Sequence, residues 1–164
     1  MTMIFPATIS SVNEDSPKYQ EDHLIKKAIS ILEQRMFKRG PYLERPQDVR
    51  QYLRLQLAGE TQEVFSALFL DARHRVVAYE PLFYGTIDSV SVYPRRILQR
   101  ALEHQCVAII VAHNHPSGDK NPSQGDKEIT KVLNDLLPKL NVRLLDHFII
   151  GEGEPYSFAE AGLI

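Results

Sequence analysis

The chain has one cysteine, Cys106, in 164 residues. A lone thiol excludes an internal disulfide framework and fits a reducing compartment. No apolar stretch approaches the roughly 20 residues needed to span a bilayer. Met1 to Glu14 carries neither the basic start nor the long apolar centre of a secretory leader. A cytoplasmic protein without membrane attachment is therefore expected. Charge of one sign is also lacking: 19 Lys and Arg against 21 Asp and Glu leave −2, so there is no global electrostatic case for binding nucleic acid. Internal repeats and low-complexity tracts are absent. Hydrophobic content of 43% and charged content of 24% are those of an ordinary globular domain, and the length suffices to bury a real core.

Periodicity divides the chain. Residues 1–20 read as an irregular arm. From Glu21 to Lys38, Leu24, Ile25, Ala28, Ile31, Leu32 and Met36 recur at helical spacing, and Gly40-Pro41 ends the pattern. A second helix is expected over Gln47–Leu57, with Val49, Tyr52, Leu53 and Leu57 on one face. Glu63–Leu70 and Arg75–Tyr79 read as strands joined by a turn, and Leu82–Tyr93 as extended chain with an irregularity at Gly85. Pro94 opens a third helix. Cys106–Val111 reads as a buried strand, Ser123–Leu137 as a helix, Val142–Ile150 as a strand and Tyr156–Phe158 as a short final one. Helices mixed with such strands indicate an α/β fold with a mostly antiparallel or mixed sheet.

The chemistry concentrates after the buried strand, in Ala112-His113-Asn114-His115-Pro116-Ser117-Gly118-Asp119-Lys120-Asn121-Pro122-Ser123-Gln124-Gly125-Asp126. Two imidazoles one residue apart share a side of an extended backbone, and Pro116 biases His115 toward that conformation. Two imidazoles and a carboxylate suit zinc, and Asp126, at a helix start, is the nearby carboxylate. Three protein ligands leave a position for water, whose pKa the ion lowers toward about 7. Ser123 is placed to donate its hydroxyl to an oxyanion. A proton carrier must come from elsewhere: Glu63, Glu80 or Glu103. The plainer reading of Ser123-x-x-Asp126 is a capping box. That of the histidines is a polar strand end, with Asn114 and Gly118 shaping a turn. Asp146-His147 reads either as a partner to the site or, preferred, as a satisfied polar pair. Cys106 reads as packing.

His113-x-His115, seven residues, then Ser123-x-x-Asp126 resembles the JAMM signature of JAB/MPN-domain metalloproteases, and the fuller HNHPSGD string is similar to the RadC-like branch. Glu63-Val64-Phe65, Leu70-Asp71, Phe83-Tyr84-Gly85-Thr86, Pro94-Arg95, Leu145–Gly151 and Tyr156-Ser157-Phe158 match as well. The resemblance runs from about Pro46 to the C-terminus. It implies a JAB/MPN-like (cytidine deaminase-like) fold, a mixed β-sheet flanked by helices in three αβα layers. The JAMM metallohydrolase domain would occupy residues 46–164, with 1–45 forming an N-terminal arm and helix.

The resemblance also implies one zinc per chain on His113, His115 and Asp126, Ser123 as oxyanion donor, and Glu63 as proton carrier. Glu63 alone opens a strand after the first domain helix, whereas Glu80 lacks that context. The expected activity is hydrolysis of a peptide or isopeptide bond in a protein or peptide substrate; a homo-oligomer is left open. Longer RadC-like proteins resemble a helix-hairpin-helix module followed by this domain. Residues 1–45 offer at most one helix and no Gly-rich hairpin, so strong nucleic-acid binding is not expected. The competing readings are a nucleic-acid-interacting, DNA-repair-associated protein and a non-catalytic MPN interaction module.

Overall fold

A computed structural model describes residues 17–37, 46–85 and 91–164. The expected arm over 1–16, the Gly40-Pro41 stop and the extended reading of 86–90 lie outside the described residues. Helix α1 spans Pro17–Phe37 and α2 Pro46–Leu57; strands β1, Val64–Leu70, and β2, Val76–Tyr84, follow. Then come α3, Pro94–Glu103; β3, Ala108–Asn114; α4, Gln124–Leu136, continued by a 3-10 turn over Leu137–Leu140; β4, Arg143–Ile150; and β5, Tyr156–Ser157.

The strands form one mixed sheet ordered β2-β1-β3-β4-β5. β1 pairs antiparallel with both β2 and β3, β3 pairs parallel with β4, and β5 closes antiparallel on β4. The parallel step needs a long crossover, and α4 supplies it. Every residue of β1 and β3 is buried, the signature of central strands covered on both faces. On one face, Leu53 and Leu57 of α2 and Leu32 of α1 pack on Leu68, Ile110 and Phe148. On the other, Ile97 and Ala101 of α3 and Leu133 of α4 pack on Phe69, Ile109 and Val111. The expected three-layer α/β architecture is therefore the one observed. Cys106 packs in the second layer, where burial pushes its thiol pKa up.

Three local expectations change. Helix α1 begins at Pro17, inside the stretch read as irregular, because proline is well suited to a first helical turn. Its apolar face is only partly used: Leu32 is buried, but Leu24 is 64% and Ile31 43% exposed. The segments read as Arg75–Tyr79 and Leu82–Tyr93 join through Pro81 into one strand that runs to Tyr84, since β2 lies at the sheet edge, where a missing N–H is tolerated. The pairing of β2 with β1 skips a residue twice: Leu70 pairs with Val76 and Phe69 with Ala78, which leaves Val77 over, and Ser66 pairs with Pro81 and Phe65 with Phe83, which leaves Leu82 over.

A polar network ties β2 to α3. The Glu80 carboxylate accepts from Arg100 and lies 2.7 Å from His104 Nε2, while Arg100 also pairs with Glu103. Hydrogen bonds from the Arg100 guanidinium hold the Glu80 carboxyl down to about 2, against its ordinary 4.5. A carboxyl so depressed stabilises the folded state above its ordinary pKa, and that contribution fades as the pH falls toward the folded value. Glu80→Gln should therefore lower the urea midpoint at neutral pH, and the gap from the parent should narrow between about pH 4.5 and 2. A gap that stayed constant across that window would assign the loss to packing.

Candidate metal centre

The register of the sheet assembles the site. Phe65 of β1 lies opposite His113 of β3, so Glu63, two residues before Phe65, arrives beside the end of β3 on the same face. β3 extends past Val111 and carries His113 itself, which is fully buried. His115 follows, half-buried, where the chain leaves the sheet, and α4 starts close enough to bring Asp126 back. The structure thus gathers Glu63, His113, His115 and Asp126, each offering a ligand atom within 4.8 Å of the others. Glu80 and Glu103 take no part, being paired with Arg100.

Three of these residues approach one another at metal-site spacing, with Asp126 turning one oxygen to each histidine. His113 Nε2 is 2.9 Å from His115 Nε2 and 3.2 Å from Asp126 Oδ1; His115 Nε2 is 3.5 Å from Asp126 Oδ2. A tetrahedral ion with bonds of about 2.0–2.1 Å needs ligand atoms about 3.3 Å apart. On His115, Nδ1 donates to the Asp119 carbonyl at 2.5 Å, which leaves the Nε2 lone pair aimed inward. Converging electron pairs of this kind call for a cation, and the donor set fits a divalent metal.

The electrostatics follow the same need. The Asp126 carboxylate beside it is the main cause holding the His115 pKa above the ordinary imidazole range. Burial opposes ionisation of Asp126, but the two imidazoles outweigh it and hold its carboxyl well below the usual carboxylate range. Burial likewise pushes the Glu63 carboxyl up, moderated by His113 and His115.

Ser123 and Asp126 also form the expected capping box. The Ser123 hydroxyl accepts from the Asp126 N–H at 3.1 Å, and Asp126 Oδ2 accepts the Ser123 N–H and hydroxyl, each at 2.7 Å. Cap and cluster coexist because the carboxylate has acceptor directions for both: Oδ1 faces His113, while Oδ2 closes the helix and also faces His115. Glu63, His115, Ser123 and Asp126 line an open groove of about 840 Å³, with Phe65, Val92, Ile129 and Val132 on its walls.

Two supports were not read from the sequence. Asn114 shapes no turn. It is a buried strand residue whose Oδ1 accepts the Val64 N–H at 2.8 Å and whose Nδ2 donates to the Gln62 carbonyl at 3.0 Å. It thereby pins the Glu63 backbone to the strand that carries His113. Its place between the two histidines, on the opposite face by strand alternation, was the available signal. Gly151 packs under the loop after His115: a Cβ there would lie 2.5 Å from the Gly118 carbonyl oxygen. The preferred reading of Asp146-His147 holds for one member only. Asp146 accepts from Ser157 Oγ at 2.6 Å and from the Ala159 N–H at 3.0 Å, whereas His147 lies 2.8 Å from His113.

Comparison with known proteins bears on this arrangement. Residues 43–163 match the family model of the RadC-like JAB domain. The chain belongs to the RadC-like JAB family. It is 56% identical over 125 residues to a UPF0758 protein of Azotobacter vinelandii, covering 76% of this chain and 56% of that one. A UPF0758 protein of Stutzerimonas stutzeri is 54% identical over 125 residues with the same coverage, and one of Nitrosococcus oceani 54% over 127, covering 77% and 57%. The chain thus spans little more than half the length of these relatives. Among the described residues of this RadC-like JAB protein, no helix is long and apolar enough to cross a membrane.

Asn114→Ala leaves the buried Val64 N–H without its acceptor and frees the Gln62 carbonyl. An unsatisfied buried group of this kind costs about 1–3 kcal/mol. Urea unfolding monitored by circular dichroism should show a loss in that range, and one below about 0.5 kcal/mol would show that other bonds hold the Glu63 segment.

Proposed function

We propose that this domain is a zinc-dependent hydrolase of peptide or isopeptide bonds, acting on a protein or peptide substrate. The observation that carries the reading is the position of Glu63, a buried carboxyl beside a three-ligand cluster at the floor of an open groove. A structural metal site is closed by four ligands, whereas a catalytic one keeps a position open. His113, His115 and Asp126 would hold the ion. Zinc bound there lowers the pKa of a water toward about 7 and polarises a carbonyl.

The chain's own groups account for the remaining work. Glu63 takes a proton from the attacking water and delivers it to the leaving nitrogen; a carboxyl raised by burial is suited to both halves of that transfer. Ser123 supports the developing oxyanion. Its hydroxyl can turn from Asp126 Oδ2 toward the substrate while its main-chain N–H keeps hold of the same oxygen.

Purified, metal-replete protein should contain about one equivalent of zinc, lost in His113→Ala. Elemental analysis decides it, and full zinc retention in both His113→Ala and Asp126→Ala would sink the site. Glu63→Gln should keep its zinc while hydrolysis of a cleavable peptide or isopeptide, found by library screening, falls about a hundredfold or more. Parent-like rates in Glu63→Gln would remove Glu63 from the mechanism, and a metal-loaded parent cleaving no amide would favour an interaction module. Binding to duplex or branched DNA at physiological salt should be no tighter than nonspecific association, about 10⁻⁴–10⁻⁶ M. Markedly tighter binding in a salt titration would favour the nucleic-acid reading.

A further inference from the structure

The hydrogen bonds behind His113 can run in only one direction. The main-chain carbonyl of Asp126 accepts and cannot donate, so the Thr130 hydroxyl, 2.5 Å away, directs its proton there. The same hydroxyl oxygen lies 2.6 Å from His147 Nδ1. With its proton committed, it must accept, and His147 Nδ1 carries a hydrogen. His147 is fully enclosed, and the partners of its two ring nitrogens, a hydroxyl and a second imidazole, include no anion to offset a buried charge. The ring is therefore neutral and its Nε2 bare. That bare nitrogen lies 2.8 Å from His113 Nδ1, which must be the donor. His113 is left with its lone pair on Nε2, the atom that faces His115 and Asp126.

We propose that Thr130 and His147 are positioning residues that fix the tautomer and ring orientation of His113, so that Nε2 is presented to the metal. This role rests on the metal reading of the cluster for its consequence, though its hydrogen-bond geometry stands without it. Metal-bound histidines usually find their outer partner in a carboxylate, a main-chain carbonyl or water. A neutral imidazole here orients the ligand without adding negative charge beside Asp126.

The surroundings hold the relay still. Phe65 stacks on His113 with ring centroids 5.9 Å apart and planes at 11°, and Phe158 stacks on His147 at 4.7 Å and 13°. The Phe158 N–H also donates to the His147 carbonyl at 3.1 Å. Because Thr130 bonds back to Asp126, four residues earlier on α4, the relay ties the helical ligand to the strand ligand through β4.

The test compares four variants in two measurements. His147→Phe keeps a ring but loses the acceptor, and His147→Gln restores an acceptor. Thr130→Val loses the hydroxyl at similar volume, and Thr130→Ser retains it. Zinc affinity is read by competition with a chromophoric chelator, with melting temperature as a folding control. His147→Phe should weaken zinc binding about 10–100-fold, as loss of an outer partner does; His147→Gln should recover most of it. Thr130→Val should weaken binding and Thr130→Ser should not.

Separately, nitrogen-15 spectra of the metal-free parent in alkaline buffer should show the His113 hydrogen on Nδ1, with this preference lost in His147→Phe. Parent-like zinc affinity in a folded His147→Phe, or an Nε2–H tautomer at His113 in the parent, would overturn the role. Should His147→Phe not fold, the Thr130 pair decides, equal affinities of Val and Ser refuting the relay. If the parent binds no zinc, the metal reading fails while the tautomer measurement still judges the relay.

Discussion

The pairing of β1 with β3 is the constraint on which the site depends. His113, His115 and Asp126 lie within one short stretch of chain, but Glu63 is fifty residues away and reaches them only through the register that sets Phe65 against His113. A slip of one residue would turn every side chain of β1 to the other face and carry Glu63 away from the cluster. Such a slip is opposed on both faces. Leu68 and Leu70 belong to the layer under α1 and α2, and Phe65, Ala67 and Phe69 to the layer under α3 and α4. The apolar sorting that holds the sheet together is therefore also what aims the carboxylate. Asn114 adds a polar clamp at the point where the two strands begin to diverge.

Much of this was legible in the chain. Continuous apolar runs marked the two central strands, and helical spacing marked α2 and α4, because burial on one or both faces leaves a period in the sequence. The motif spacing named His113, His115 and Asp126, the resemblance added Glu63, and these four do come together. What escaped reading had no period to betray it. The passage of β2 through Pro81 depends on its edge position, which only the assembled sheet defines. The exposure of Leu24 and Ile31 on α1 depends on what that helix packs against. Local rules said that Asp146 and His147 face opposite ways, but not that His147 would meet His113, since that contact is made by β3 and β4 lying parallel with α4 above them.

The competition between a cap and a ligand at Asp126 is resolved by geometry. A carboxylate has two oxygens with several acceptor directions, and α4 begins at an angle that sends Oδ1 to His113 and Oδ2 to the Ser123 amide and hydroxyl with His115 beside it. A sequence-level choice between structural and functional roles is false when one group has enough lone pairs for both. Ser123 holds Asp126 Oδ2 twice, through its main-chain N–H and its hydroxyl, so the helix start does not depend on the hydroxyl alone.

The capping box has a further consequence for how such a protein would be supplied with metal. The start of α4 is closed by hydrogen bonds that the chain makes with itself, and the two hydrophobic layers enclose the sheet without help from the cluster. Small zinc modules depend on their ion to fold, so for them loading and folding are a single event. Here the four side chains of the cluster are brought together by the fold itself, so a metal taken up there would not have to offset the entropy of gathering them. If the cluster takes the metal proposed for it, ion exchange would be a reaction of the folded state, set by the free metal level of the surroundings and independent of the moment of synthesis.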